Sequence, residues 1–274
     1  MKDLRTIRIF LATLFFILSV AYLAVSPTLH PIARVVAKIQ IIPSLIATGM
    51  GAVAVWFGIT FIFGRIYCST ICPVGTYQDV VIWLRKRLGR RRRPLKFRQP
   101  DAIRYPLAII FFVSLLLGIT VVAFWLEPWS IMRNICGAIH PSAQEEVWLT
   151  LGIGMTTGIV AGIVSAFLLT VCAAITGRGY CTEVCPVGTA LGLLSDYTLL
   201  HIEIDPDKCI NCMKCEEVCE ANCIKVVSRY VDNSRCIRCF DCLKVCPNDA
   251  IRYQWHRNRR GTPLVTKVGS KAKA

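Results

Sequence analysis

The chain has 274 residues, of which 54% are hydrophobic and 18% are charged, and its formal net charge is +15 at pH 7. A mean hydropathy of +0.53 excludes a protein that is soluble along its whole length, because so much apolar surface needs a membrane to cover it. No nucleic-acid recognition motif accompanies the positive charge, so nucleic acid is excluded as a partner.

The first two thirds of the chain contain four uncharged windows, each bounded by charged residues. Every window can hold the roughly 20 residues that a membrane-spanning helix needs. We therefore expect membrane-spanning helices near residues 8–25, 45–65, 104–126 and 148–174.

Basic residues are concentrated in the loop after the second predicted helix. Residues 85–98 contain nine Lys and Arg, whereas the loops after the first and third helices carry few charges. Positively charged loops stay on the cytoplasmic side of a membrane, so this loop and both chain termini are predicted to be cytoplasmic. The chain is therefore predicted to be a multi-pass protein of a bacterial inner membrane. The basic loop could also contact anionic membrane lipid.

Two nearly identical segments follow the second and fourth predicted helices. Residues 64–76 and 177–189 share Gly-Arg, Tyr-Cys and Cys-Pro-Val-Gly-Thr in the same register. A parallel repeat of this kind is related by an axis along the membrane normal. We therefore expect two equivalent helix hairpins whose C-x3-C-P motifs meet at the cytoplasmic face.

The repeat supplies four candidate redox residues, which are Cys68, Cys72, Cys181 and Cys185. Two cysteines four positions apart lie on one face of a helical turn, so two such pairs could give four thiolates to one metal centre. A reversible dithiol and a purely structural role in shaping the helix exits are the alternatives.

Two histidines, His30 and His140, each precede a proline in a loop predicted to lie outside the cytoplasm. Histidine titrates near neutral pH and could accept a proton in a redox reaction. A bis-histidine metal site is another interpretation, and a structural role in turns set by the prolines is a third.

Eight cysteines near the C-terminus form two runs with the spacing C-x2-C-x2-C-x3-C. This is the bacterial [4Fe–4S] ferredoxin spacing, in which the fourth cysteine binds the other cluster. The predicted ligand sets are Cys209, Cys212, Cys215 and Cys246 for one cluster, and Cys236, Cys239, Cys242 and Cys219 for the other. Structural zinc would instead favour C-x2-C pairs set apart in sequence.

A further cysteine, Cys223, stands four residues after Cys219, where the second run has Ala250 four residues after Cys246. This comparison indicates a small buried thiol, with a substitute cluster ligand as the alternative.

The predicted fold class is an α-helical integral membrane protein with four transmembrane helices in a two-fold repeated hairpin, plus a small α+β two-cluster ferredoxin domain. The predicted boundaries are 1–98 for the first hairpin and basic loop, 99–200 for the second hairpin, 201–253 for the ferredoxin domain and 254–274 for a basic tail.

Two Tyr-Cys-x3-Cys-Pro motifs followed by two [4Fe–4S] motifs resemble the NapH/MauN group of ferredoxin-type membrane proteins, whose core the NosR-like and CcoG-like proteins share. The resemblance implies a quinol dehydrogenase component that passes electrons from the quinone pool to an iron–sulfur or reductase subunit, such as a periplasmic nitrate reductase. His30 and His140 would then accept quinol protons. A MauN-like electron donor for cofactor maturation and a CcoG-like copper reductase are the alternatives.

Overall fold

The computed structural model describes residues 3–24, 40–41, 50–89, 103–150, 152 and 154–255. His30, most of the basic loop and nearly all of the predicted tail lie outside these described residues.

In the described residues, the first half of the repeat has one long helix and three shorter ones. They are α1 (Asp3–Ala24), α2 (Met50–Phe63), α3 (Ile66–Thr70) and α4 (Pro73–Arg87). Proline begins α4, because the first position of a helix has no need of a backbone N–H.

The second half follows the same plan with additional short helices. They are α5 (Arg104–Leu116), α6 (Thr120–Leu126), α7 (Pro128–Ile139), α8 (Glu145–Thr150), α9 (Met155–Thr176) and α10 (Pro186–Ser195). A π-helical turn over Tyr180–Val184 precedes α10 and corresponds to α3.

Two helices, α1 and α9, have 22 residues each and are long and apolar enough to cross a membrane. The described parts of α2 and α5 are shorter apolar helices. The prediction of one continuous helix over 104–126 is wrong, because α5 ends at Leu116 and Gly118 adopts a positive φ of 73°. Such a left-handed residue ends a helix at little cost only when it is glycine.

After this turn, α6 and α7 form a helical pair joined at Glu127. The Asn134 side chain of α7 donates a hydrogen bond to the Phe124 carbonyl of α6 at 3.3 Å. Leu126, at the end of α6, accepts a hydrogen bond from the Tyr180 hydroxyl at 2.8 Å. The α6–α7 pair therefore reaches back to the second C-x3-C-P motif, which the sequence had not indicated.

The C-terminal module has two short antiparallel sheets and two one-turn helices. Strand β1 (Leu200–Ile204) pairs with β4 (Ile251–Trp255), and β2 (Ile224–Lys225) pairs with β3 (Tyr230–Val231). The helices are α11 (Lys214–Val218) and α12 (Asp241–Val245).

Both cysteine runs bend through the same pair of left-handed residues. Asn211 and Met213 in the first run, and Arg238 and Phe240 in the second, all have φ between 54° and 63°. These residues flank the second cysteine of each run, so the chain curls tightly around its first three thiols.

The module is anchored directly to the helical part near the end of α2. Tyr253 donates to the Phe63 carbonyl at 2.8 Å, and the Leu199 N–H donates to the Phe61 carbonyl at 3.0 Å. Arg65 donates to the Ser234 carbonyl at 2.8 Å from a fully buried position. These bonds fix the ferredoxin-like module against the first C-x3-C-P segment.

Candidate metal centres

The first predicted ligand set lines one pocket of the C-terminal module. Cys209, Cys212, Cys215 and Cys246 line this pocket together with mostly apolar side chains and with Lys208 and Asn248. Cys212 is exposed and the other three are half-buried. This pocket therefore has an edge at the protein surface.

The second predicted set lines a separate pocket. Its thiols belong to Cys219, Cys236, Cys239 and Cys242, and Cys223 lies among them. Cys219, Cys236 and Cys242 are buried. The structure thus groups the eight cysteines into the two sets expected from the spacing, with the fourth cysteine of each run crossing to the other pocket.

The donors in these pockets fit a cluster better than a single ion. Within the described part of the chain, no three or more His, Cys, Asp or Glu side chains converge closely enough to hold one metal ion. Zinc requires such convergence, whereas a cubane spreads its four thiolates over four irons. The Ala250 N–H also donates to the Cys246 sulfur at 3.2 Å, a bond that favours a thiolate.

The four cysteines of the repeat form a third group, buried between the helices and the module. Cys68, Cys72, Cys181 and Cys185 are each at most 5% exposed. Cys72 interacts electrostatically with the other three, so the two pairs come from distant parts of the chain to one place.

Two buried arginines cross between the copies of the repeat. Arg65 of the first copy donates to the Cys181 carbonyl at 2.8 Å, and Arg178 of the second donates to the Cys68 carbonyl at 2.9 Å. Both guanidinium groups are fully buried. The arginine of each copy therefore binds the backbone of the first cysteine in the other copy. This contact explains why both copies contain Gly-Arg.

The repeated Cys-Pro-Val-Gly-Thr segment needs its glycine for the same crossing contacts. A Cβ on Gly75 would lie 2.4 Å from the Cys68 carbonyl oxygen, and one on Gly188 would lie 2.4 Å from the Cys181 carbonyl oxygen. Those carbonyls are the acceptors of the crossing arginines. Only glycine leaves room for them.

We expect Gly75→Ala and Gly188→Ala each to displace a crossing arginine and to destabilise the protein by about 2 kcal/mol, since over-packing of a tight site costs about 1–3 kcal/mol. Gly58→Ala is the matched control, because a Cβ there meets no atom within 4 Å. Thermal unfolding in detergent measures the effect. Equal melting temperatures for the three variants would contradict this account.

Burial sets the protonation of the repeat cysteines. It raises the pKa of Cys72 well above its usual value, and it raises that of Cys181 to about 11. A reactive dithiol needs a lowered pKa, because the thiolate is the attacking form. The free thiols are thus poorly suited to disulfide exchange, whereas the irons of a bound cluster would supply the positive charge that stabilises thiolates.

Arg178 also connects this group to the second pocket. Its guanidinium binds both oxygens of Asp79, at 2.9 and 2.6 Å, and Arg8 binds the same carboxylate at 2.5 Å. Arg178 interacts electrostatically with both Cys181 and Cys239. One buried cation therefore interacts with both the repeat cysteines and the second ferredoxin-like pocket.

The candidate histidines are not part of this arrangement in the described residues. His140 is exposed at the end of α7, next to Pro141, and His30 lies outside the described residues. Sequence reasoning missed a buried carboxylate, Glu127, which accepts hydrogen bonds from the Trp129 and Ser130 N–H groups. It also missed Arg65 and Arg178, although their identity in both copies of the repeat was a visible signal.

Comparison with known families agrees with these three cysteine groups. A family described as a 4Fe-4S binding domain matches residues 45–91 and 159–202, which contain the two C-x3-C-P motifs. Two further 4Fe-4S binding domain families match 201–224 and 229–252. These matches place 4Fe-4S binding domains over both the repeat and the C-terminal module.

Curated relatives include proteins that are named ferredoxin-type. The chain is 29% identical to NapH of Haemophilus influenzae over 173 residues, which are 63% of this chain and 53% of that protein. It is 29% identical to the methylamine utilization protein MauN of Methylorubrum extorquens over 62% of this chain and 52% of that protein. The chain thus spans about half the length of these relatives. No solved structure matches it. The resemblance to the NapH and MauN proteins is confirmed.

Proposed function

We propose that the chain is a membrane-bound electron-transfer subunit that accepts electrons from quinol and passes them to a soluble or membrane-bound reductase. The observation that carries this proposal is the position of the repeat cysteines. They are buried between the apolar helices and the ferredoxin-like module, and Arg65 and Arg178 tie the two parts together. The similarity to NapH supports the same function.

We propose that the chain crosses the inner membrane four times, with both termini in the cytoplasm. Helices α1, α2, α5 and α9 would make the crossings, and the α6–α7 pair would re-enter from the outer side, because Leu126 contacts Tyr180. The two copies of the repeat would then share the cytoplasmic side with the ferredoxin-like module.

Reporter fusions test this topology. Fusions after Pro94 and after Gly261 should both behave as cytoplasmic, because the nine basic residues in 85–98 resist translocation. An insertion at exposed His140 is the control and should give a periplasmic signal. A periplasmic signal after Pro94 or Gly261 would overturn the four-crossing arrangement.

The cysteines have separate roles in this proposal. One [4Fe–4S] cluster would be held by Cys209, Cys212, Cys215 and Cys246. The other would be held by Cys219, Cys236, Cys239 and Cys242. A further redox centre would be held by the repeat cysteines, Cys68, Cys72, Cys181 and Cys185. Bound iron–sulfur clusters supply one-electron steps. Exposed Cys212 marks the surface where the partner subunit would dock.

Quinol oxidation also releases protons, and we propose His30 and His140 as their acceptors, since histidine exchanges protons near neutral pH. His140→Gln should slow quinol-dependent reduction of the protein and leave its reduction by dithionite unchanged. An unchanged quinol rate would remove His140 from the proposal.

Two rival functions give different assay results. In native membranes, the quinol subunit should couple oxidation of a ubiquinol or menaquinol analogue to reduction of an added one-electron acceptor dye. A copper reductase should instead reduce Cu(II) when supplied with dithionite-reduced viologen. A maturation donor of the MauN kind should do neither, yet be required for assembly of a partner enzyme. Membranes lacking the protein are the control for each assay.

A further inference from the structure

Five thiols line the second ferredoxin-like pocket, one more than a [4Fe–4S] cluster needs. The additional thiol belongs to Cys223, which is 1% exposed. Its sulfur lies 3.5 Å from that of Cys219, and Cys236 lines the same pocket. Its neighbours are therefore two of the proposed cluster ligands.

The two runs show that Cys223 is an addition to the ligand set. In the other pocket, Ala250 stands four residues after the ligand Cys246 and donates its N–H to that sulfur. Cys223 stands four residues after Cys219, and the residues before Cys223 and Ala250, Asn222 and Asp249, share a left-handed backbone with φ of 50° and 47°. The backbone arrangements match, and the side chains differ by one S–H group.

The direction of the side-chain bond follows from the surroundings. Ile202, Val231 and Ile237 line the same pocket and offer the thiol no hydrogen-bond acceptor in their side chains. A neutral thiol carries a single hydrogen, so it can donate to the Cys219 or the Cys236 sulfur but not to both at once. An apolar wall strengthens such a bond, because the local dielectric constant is low.

We propose that Cys223 is a potential-tuning residue, whose S–H donates a hydrogen bond to a ligand sulfur and raises the reduction potential of the cluster in the second pocket. This inference rests on the proposed cluster binding. A donated hydrogen bond stabilises the reduced, more negative state of a cluster more than the oxidised one. The first pocket has Ala250 in place of Cys223 and lacks this side-chain donor. The two clusters should therefore differ in reduction potential although their ligand spacing is the same.

Redox titration of the purified, cluster-loaded protein, followed by electron paramagnetic resonance, tests the proposal. Cys223→Ala should keep both clusters and shift the reduction equilibrium of one cluster about tenfold toward the oxidised form, equal to about 59 mV for one electron. Cys223→Ser should recover part of the shift, because its hydroxyl also donates. Ala250→Cys should move the other cluster the opposite way.

Two outcomes would overturn this role for Cys223. Unchanged potentials in Cys223→Ala would show that its thiol tunes nothing. Loss of a cluster in Cys223→Ala together with an intact cluster in Cys219→Ala would make Cys223 the ligand. The titration uses dithionite, so a protein that shows the expected shift but does not react with quinol retains this inference and loses the proposed quinol function.

Discussion

Cys68→Ser and Cys181→Ser should each abolish quinol-dependent reduction of the ferredoxin-like clusters, and the double variant should be no worse than either single one. The four repeat cysteines lie in one buried group, and residues that act as a unit lose nearly everything with the first substitution. Serine is nearly isosteric with cysteine, so packing losses should be small.

The measurement compares quinol-dependent and dithionite-dependent bleaching of cluster absorbance in the three variants. Cys136→Ser is the matched control, because Cys136 is equally buried but belongs to none of the three cysteine groups. Independent, additive losses would indicate two separate sites. Full activity in either single variant would favour a structural role for the repeat.

Arg178→Ala should destabilise the protein by about 3 kcal/mol. The substitution removes a fully buried cation and leaves Asp79 and the Cys68 carbonyl without that donor. Breaking a buried ion pair by removing one partner costs about 3–5 kcal/mol. We expect the lower end of this range because Asp79 is 30% exposed. Arg178→Lys should recover only part, because an ammonium group cannot reproduce the fork of bonds.

Arg5→Ala is the control for this charge network. Arg5 binds Asp241 at 2.5 Å, but both side chains are partly exposed, at 34% and 26%. Such pairs contribute about 0–1 kcal/mol. The free energies of unfolding of Arg178→Ala and Arg5→Ala, measured by chemical or thermal unfolding in detergent, should therefore differ by about 2 kcal/mol. Equal losses would show that the buried Arg178 network stabilises the protein no more than an exposed ion pair does.

The two cysteine pockets of the ferredoxin-like module could be predicted from sequence because local geometry sets the positions of their thiols. The spacing between Cys209 and Cys219 forces a tight loop, and Cys219 turns away from it, so the fourth cysteine of each run lines the other pocket. The long apolar helices α1 and α9 were predictable for a similar reason, since their length and composition are local properties.

The assembly of the repeat was less predictable. The sequence showed that Arg65 and Arg178 are equivalent, but not that each would bind the other copy, because 110 or more residues separate the partners. Gly118 looked like an ordinary residue of a long helix, and its positive φ appears only once α6 packs back toward Tyr180. Burial of Glu127 follows from that same return.

The proposed function requires quinol electrons to enter this protein and to reach its ferredoxin-like clusters. Anaerobic stopped-flow mixing of the purified protein in lipid nanodiscs with a menaquinol or ubiquinol analogue tests it most directly. We expect cluster absorbance near 400 nm to bleach to the extent that dithionite produces. Complete bleaching by dithionite with none by either quinol analogue would contradict the proposed function.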